Sequence, residues 1–261
     1  MSMRIRFMTI LLLVCLSVPF TAQAQTNGSA EENFFEANRA YKNEAFQEAI
    51  AGYSKLIENG FENGHTYYNL GNAYFRLGEV GRAILSYERA RLFIPRDSDL
   101  NFNLSQAKDQ TLDAVSDSQR FSLPDLLGLD RVNRYEVFFV FIIMNVLFFG
   151  VLCIRIFNKS EWTYYLSIFL AIFIGIGACV TALKWYESIT DDRTIVIAKE
   201  VEVLAGPDPG DTILFKIHEG AVVHHERSED GWTLLHLSED KRGWAKSDQL
   251  ERIVQRKIDR S

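Results

Sequence analysis

Apolar residues fall into three uninterrupted blocks, and between them apolar and polar positions alternate with a regular period. Residues 7–20, 137–154 ("VFFVFIIMNVLFFGVLCI") and 162–183 ("WTYYLSIFLAIFIGIGACVTAL") carry no charged side chain. A helix rises about 1.5 Å per residue and the hydrocarbon core is about 30 Å thick, so the second and third blocks are long enough to cross it. They predict transmembrane helices at 135–155 and 162–184. The first block is shorter, follows Arg4 and Arg6, and ends in Thr21-Ala22-Gln23-Ala24. That is the charged start, apolar centre and small-residue exit of a secretory signal peptide spanning 1–24. The turn between the spans, 156–161, is short and is flanked by Arg155 and includes Lys159, which predicts a cytoplasmic turn with both flanks on the far side of the membrane. Trp162, Tyr164, Tyr165, Trp185 and Tyr186 stand where interfacial aromatics belong. Asn145, Gly175 and Gly177 would contact a partner helix or pack the two spans on each other. The apolar blocks of the two spans contain no acid or base that would suggest ion transport.

Between the first two blocks the period is helical, and the pattern recurs after 34 residues. Ala37 matches Gly71, Asn38 matches Asn72, Tyr41 matches Phe75, Ala49 matches Ala83, Ile50 matches Ile84 and Tyr53 matches Tyr87. A 34-residue interval marks a helix-turn-helix repeat, and the segment 31–107 resembles the tetratricopeptide (TPR) family. Units at 31–63 and 64–97 are followed by a capping helix at 98–107. The second unit carries nearly the whole family pattern in Tyr67, Leu70, Gly71, Tyr74, Ala83, Tyr87, Ala90 and Pro95. The first departs from it, with Ala37 for the glycine and Leu56 at the second small site, which predicts looser packing.

The TPR resemblance implies a short solenoid whose concave wall takes partner peptides. Phe34, Asn38 and Tyr41, with Lys42, and Tyr68, Asn72 and Phe75, with Arg76, fall on the corresponding face of the first helix of each unit. The resemblance implies that the asparagines bond a peptide backbone; the alternative is that they tie adjacent helices. A lysine needed for clamping a terminal carboxylate is replaced by Phe34, so an apolar and polar groove is expected instead.

Residues 108–134 read as a linker, with a polar stretch at 109–120 and an amphipathic segment, "FSLPDLLGLD", suited to a membrane surface. After the second span the period changes to two. Five short runs, "TIVIAKEVEVLAG", "TILFKIHEG", "AVVHHER", "GWTLLHL" and "RGWAKSDQLERI", are separated by turn residues and predict a small all-β barrel over 191–253, with a tail at 254–261. Their order resembles a bacterial SH3-like domain. Trp232 is a candidate ligand platform in such a barrel, and Trp244 a core residue. His218, His224, His225 and His236 invite a metal reading, but adjacent His224 and His225 point to opposite faces of a strand and cannot simply share one ion, so the four read as surface histidines.

The remaining features narrow the function. A formal charge of −6 gives no global basic field, so no nucleic-acid partner is expected. The three cysteines lie in the apolar blocks and offer the water-facing segments neither a disulfide nor a thiolate metal site. No nucleophile-base pair, phosphate loop or metal-ligand spacing stands out, so no catalytic residue, metal or cofactor is expected. The whole arrangement resembles the BatE-type proteins of the aerotolerance (Bat) operon. That resemblance implies a non-catalytic inner-membrane scaffold with its TPR and SH3-like parts in the periplasm. It also implies partners that carry von Willebrand factor A domains and work near a MoxR-type ATPase. A peptidoglycan-binding envelope sensor is the alternative.

Overall fold

The structure is a computed structural model describing residues 24–113, 128–238 and 240–254. The expected signal peptide up to Gln23, most of the amphipathic segment and the tail from residue 255 lie outside the described residues. The chain divides into two compact units. One contains Arg134–Trp185; the other contains Ala30–Asn133 and Tyr186–Ser261, and so holds both the helical repeats and the β-strands.

In the first unit, α6 (Arg134–Phe157) and α7 (Glu161–Thr190) are long and apolar enough to cross a membrane. Only Ser167 and Leu170 of α7, and no residue of α6, are buried. Most of their apolar side chains thus have no protein around them, unlike a soluble core helix. The helices run back along each other. Arg155 donates from Nη1 to Ser167 Oγ at 3.3 Å and lies 4.7 Å over the Tyr164 ring. A Cβ on Gly177 would stand 3.4 Å from Phe141 Cδ2, whereas Gly175 has no neighbour within 4 Å. Gly177 therefore serves the contact between the two helices. Asn145 is turned back on its own helix, donating to Phe141 O at 2.8 Å.

The helices of the second unit are α1 (Ala24–Lys42), from Ala30 onward, α2 (Phe46–Glu58), α3 (Gly64–Arg76), α4 (Val80–Arg91) and α5 (Ser98–Lys108). Side-chain caps start two of them: Asn63 accepts from Thr66 N and Asp97 from Leu100 N, each at 2.9 Å. The interior glycine of α3 has a steric reason. The ring of buried Tyr87 lies on Gly71 so closely that a Cβ there would be 2.6 Å from it. In the first repeat the close approach is supplied from the other side. Ala37 replaces the glycine, but Gly52 of α2 faces it, and a Cβ there would be 2.8 Å from Ala37 Cβ. Ala37, Ala49, Tyr53 and Leu56 are all buried, so the looser packing expected of this repeat is not found.

Seven strands follow: β1 (Arg193–Val196), β2 (Glu200–Leu204), β3 (Ile213–His218), β4 (Val222–Glu229), β5 (Trp232–Ser238), β6 (Lys241–Lys246) and β7 (Leu250–Arg252). The first and last of the five predicted runs each hold two strands, because 197–199 and 247–249 interrupt them. The pairs are antiparallel in the order β3-β2-β6-β5-β4-β1-β7. The expected barrel is corrected accordingly: the end strands β3 and β7 are not paired, and the sheet is open. Asp230 and Gly231, both with positive φ, make the β4–β5 turn where the sequence places turn residues.

Helices and sheet share one core. Ile84 of α4, Ile195 of β1 and Ile253 beyond β7 belong to a single buried cluster, each contributing about 1.5–3 kcal/mol of burial. Gly81 lets α4 reach the backbone of the sheet, since a Cβ there would be 2.6 Å from Val196 O. Arg89 donates to Glu251 Oε1 at 2.9 Å and to the carbonyls of Arg252 and Ile253 at 2.7 and 3.1 Å, covering the free edge of β7. Glu88 is buried and meets Arg91 at 2.7 Å, Lys108 at 2.8 Å and Arg193 at 3.6 Å, one cation each from α4, α5 and β1. Burial alone would push its carboxyl up; the three cations outweigh that and hold it below the ordinary range. The start of the linker joins this seam. Asp113 accepts from His218 N at 2.5 Å, and the Thr111 methyl fills the space beside Gly220.

Candidate functional site

The repeated asparagines form a ladder. Asn38 Oδ1 accepts from Tyr53 Oη at 2.6 Å and from Asn69 Nδ2 at 2.9 Å. One repeat later, Asn72 Oδ1 accepts from Tyr87 Oη at 2.8 Å and from Asn103 Nδ2 at 2.9 Å. Both rungs link the first helix of a repeat to its second helix and to the first helix of the next element. Both acceptor sites of each carbonyl oxygen are used, so the oxygens of Asn38 and Asn72 tie helices together. The buried phenol of Tyr53 is pushed up to about 12, chiefly by burial and secondarily by Tyr41, against the lowering effect of Asn69. Tyr87 is shifted in the same direction, again mainly by burial.

Beside the first rung lies a hollow of about 490 Å³, walled by Phe35, Asn38, Arg39, Tyr41, Lys42 and Asn43 of the α1 end and by Asn69 of α3. Asn38, Tyr41 and Lys42 among the predicted residues meet there. Tyr41 is fixed by an edge-on contact with Phe46 at 5.5 Å. Phe34 packs on Tyr53 with ring centroids 6.0 Å apart, and Tyr68 on Tyr87 at 6.1 Å. Tyr68 Oη also accepts from Asn103 Nδ2 at 3.0 Å. Phe75 is half-buried against the core shared with the sheet. Arg76 is drawn over the Phe46 ring at 4.7 Å and lies 3.8 Å from Glu44.

Phe35, Arg39, Asn43 and Asn69 line the hollow without having been singled out in the sequence. A signal existed for two of them, because Phe35, Asn69 and Asn103 occupy one position at successive 34-residue intervals. Phe35 is 70% exposed, an unusual position for a phenylalanine on a helix with a buried face available. Arg39 and Lys42 contribute two positive charges, so the hollow combines an aromatic wall, amide groups and cations. It suits a polypeptide segment carrying both apolar and acidic groups.

On the sheet, Trp232 opens β5 half-buried, whereas Trp244 is buried and has Arg227 5.2 Å over its ring. The four predicted surface histidines lie beside different polar side chains, three of them hydrogen-bonded and His236 Nδ1 without a hydrogen bond. His218 Nδ1 is 3.2 Å from Asp113, His224 Nδ1 is 2.8 Å from Asp192, His225 Nε2 is 2.8 Å from Ser228 Oγ, and His236 Nδ1 is 3.3 Å from Glu226. No cluster of three or more metal-ligating side chains occurs among the described residues.

No protein-family model matches the chain, and no curated protein matches it significantly.

Proposed function

We propose that this chain is a non-catalytic adaptor of the bacterial inner membrane that captures a partner protein on the concave side of its TPR-like repeats. The hollow at the α1 end carries the reading: an exposed phenylalanine and two cations line it beside the asparagine-tyrosine ladder. In this reading α6 and α7 are a transmembrane hairpin with a cytoplasmic turn, and the repeats and the SH3-like sheet stand in the periplasm. In the same reading the chain works as a BatE-type protein in an envelope stress or aerotolerance complex, with von Willebrand factor A domain proteins as partners. Replacing Phe35 by a photoactivatable residue in intact membranes tests it. Crosslinking to one defined membrane protein, abolished by Lys42→Glu, is expected; unchanged capture in Lys42→Glu refutes use of the hollow.

The half-exposed ring of Trp232 favours a second reading, a peptidoglycan-binding sensor. Co-sedimentation of the detergent-solubilised chain with cell-wall sacculi, lost in Trp232→Ala, would replace the adaptor reading by this one.

A further inference from the structure

We propose that His224 and His236 form a two-imidazole site for a divalent transition-metal ion of the Zn²⁺ or Ni²⁺ type. The two residues are register partners across β4 and β5, and their rings lie 5.0 Å apart and 13° from parallel. His224 directs Nδ1 at Asp192 Oδ1 (2.8 Å), whereas the buried Nδ1 of His236 lies 3.3 Å from Glu226 Oε1 without a hydrogen bond. Histidines that ligate a metal through one ring nitrogen characteristically present the other to a carboxylate, which fixes the tautomer and raises ligand basicity. With the proton on Nδ1 of His224, its Nε2 carries a lone pair, and no described residue hydrogen-bonds Nε2 of either histidine.

The surrounding charge suits a cation. The next residues in register are Arg193 beside His224 and Arg242 beside His236. Asp191 holds Arg193 at 2.7 Å and Glu226 holds Arg242. With Asp192, three carboxylates face two guanidinium groups. His225, Arg252 and Ser228 form a separate cluster. Imidazole ligands without a thiolate select ions such as Zn²⁺, Cu²⁺ and Ni²⁺ over the hard oxygen-seeking cations. A Zn–N bond of about 2.1 Å requires the two rings to tilt toward each other. Side chains 38% and 29% exposed have the room. Water or a group from another molecule completes the coordination, making the site exchangeable.

Titration of the untagged full-length chain in detergent micelles with Zn²⁺ by calorimetry tests the site. One saturable event is expected, absent in His224→Ala and His236→Ala, retained in His218→Ala and His225→Ala, and roughly tenfold or more weaker in Asp192→Asn. In the wild-type chain, Zn²⁺ should also slow modification of His224 and His236 by diethyl pyrocarbonate while leaving His225 unaffected, a readout that needs no variant to fold. Absence of saturable uptake by the wild-type chain, uptake that survives His236→Ala, or equal modification with and without Zn²⁺ overturns the proposal.

Discussion

Replacing Glu88 by glutamine should loosen the helices and the sheet together. The substitution keeps the shape and removes the charge. Three cations then lose their shared partner, at former distances of 2.7, 2.8 and 3.6 Å. Breaking a fully buried ion pair costs about 3–5 kcal/mol, and an exposed one about 0–1 kcal/mol. Arg91, Lys108 and Arg193 are 35%, 34% and 31% exposed, so each can recover part of its hydration. Three discounted contacts sum to about 3 kcal/mol. If they hold the seam between α4, α5 and β1, the opening equilibrium there rises roughly a hundredfold.

Hydrogen exchange read by mass spectrometry on the full-length chain in micelles is the assay. Amides of α4, α5, β1 and β4 should all exchange faster in Glu88→Gln, while α6 and α7 are unchanged. The effect has a pH signature. Because the folded state holds the Glu88 carboxyl below its ordinary value of 4.5, its contribution is present above that value and is lost as pH falls through the lower folded-state pKa. Wild type and Glu88→Gln should therefore converge on acidification. Faster exchange in α4 and α5 with β1 and β4 unaffected would refute the shared seam.

Three further outcomes follow from the same contacts. Gly71→Ala gains about 1 kcal/mol of helix propensity but forces the Tyr87 ring from 2.6 Å, at a cost of about 1–3 kcal/mol, so a net loss of about 1 kcal/mol should appear in denaturant unfolding. The Tyr53 phenol, raised from 10.0 to about 12, contributes stability that is present below pH 10 and lost as pH rises toward 12; Tyr53→Phe should remove about 3 kcal/mol of that pH dependence in an alkaline circular-dichroism titration. Phe35→Ala, at a position 70% exposed, should change stability by no more than about 0.5 kcal/mol in the same unfolding assay while reducing co-purification of the crosslinked partner.

The helical half was largely legible in the sequence because its packing is periodic. Identity at 34 residues placed Asn38 and Asn72 correctly as equivalents, and the same interval carries Asn69 to Asn103, which completes the two rungs. The two apolar helices were legible because composition alone sets them apart. The open edge of the sheet was not, since five alternating runs state which residues alternate and leave the pairing of the end strands undetermined. Nor was the union of helices and sheet. Nothing in the helical period marks Glu88 and Arg89, and their partners Arg193 and Glu251 lie more than a hundred residues away. Burial reverses the meaning of such charges, and burial by a distant segment leaves no periodic trace. The stacking of His224 on His236 depends likewise on strand register.

A shared seam changes how one chain could bring two ligands together. Were the repeats and the sheet separate modules joined only through the membrane hairpin, the linker at 108–134 would set their effective concentration, and lengthening it would weaken any joint action. In the structure α4 is bound to β1 through Ile84, Gly81 and Glu88, and the linker's first residues are fastened to Gly220 and His218. Inserting about ten Gly and Ser residues after Ser118 then only lengthens a chain segment whose ends the seam already holds. Loop-closure entropy grows by about 0.6 kcal/mol per doubling, so the insertion should cost less than that. Exchange protection of α4 and β1 should remain near wild type, in contrast to Glu88→Gln. A drop as steep as in Glu88→Gln would mean that the linker, rather than the packed side chains, holds the two halves together.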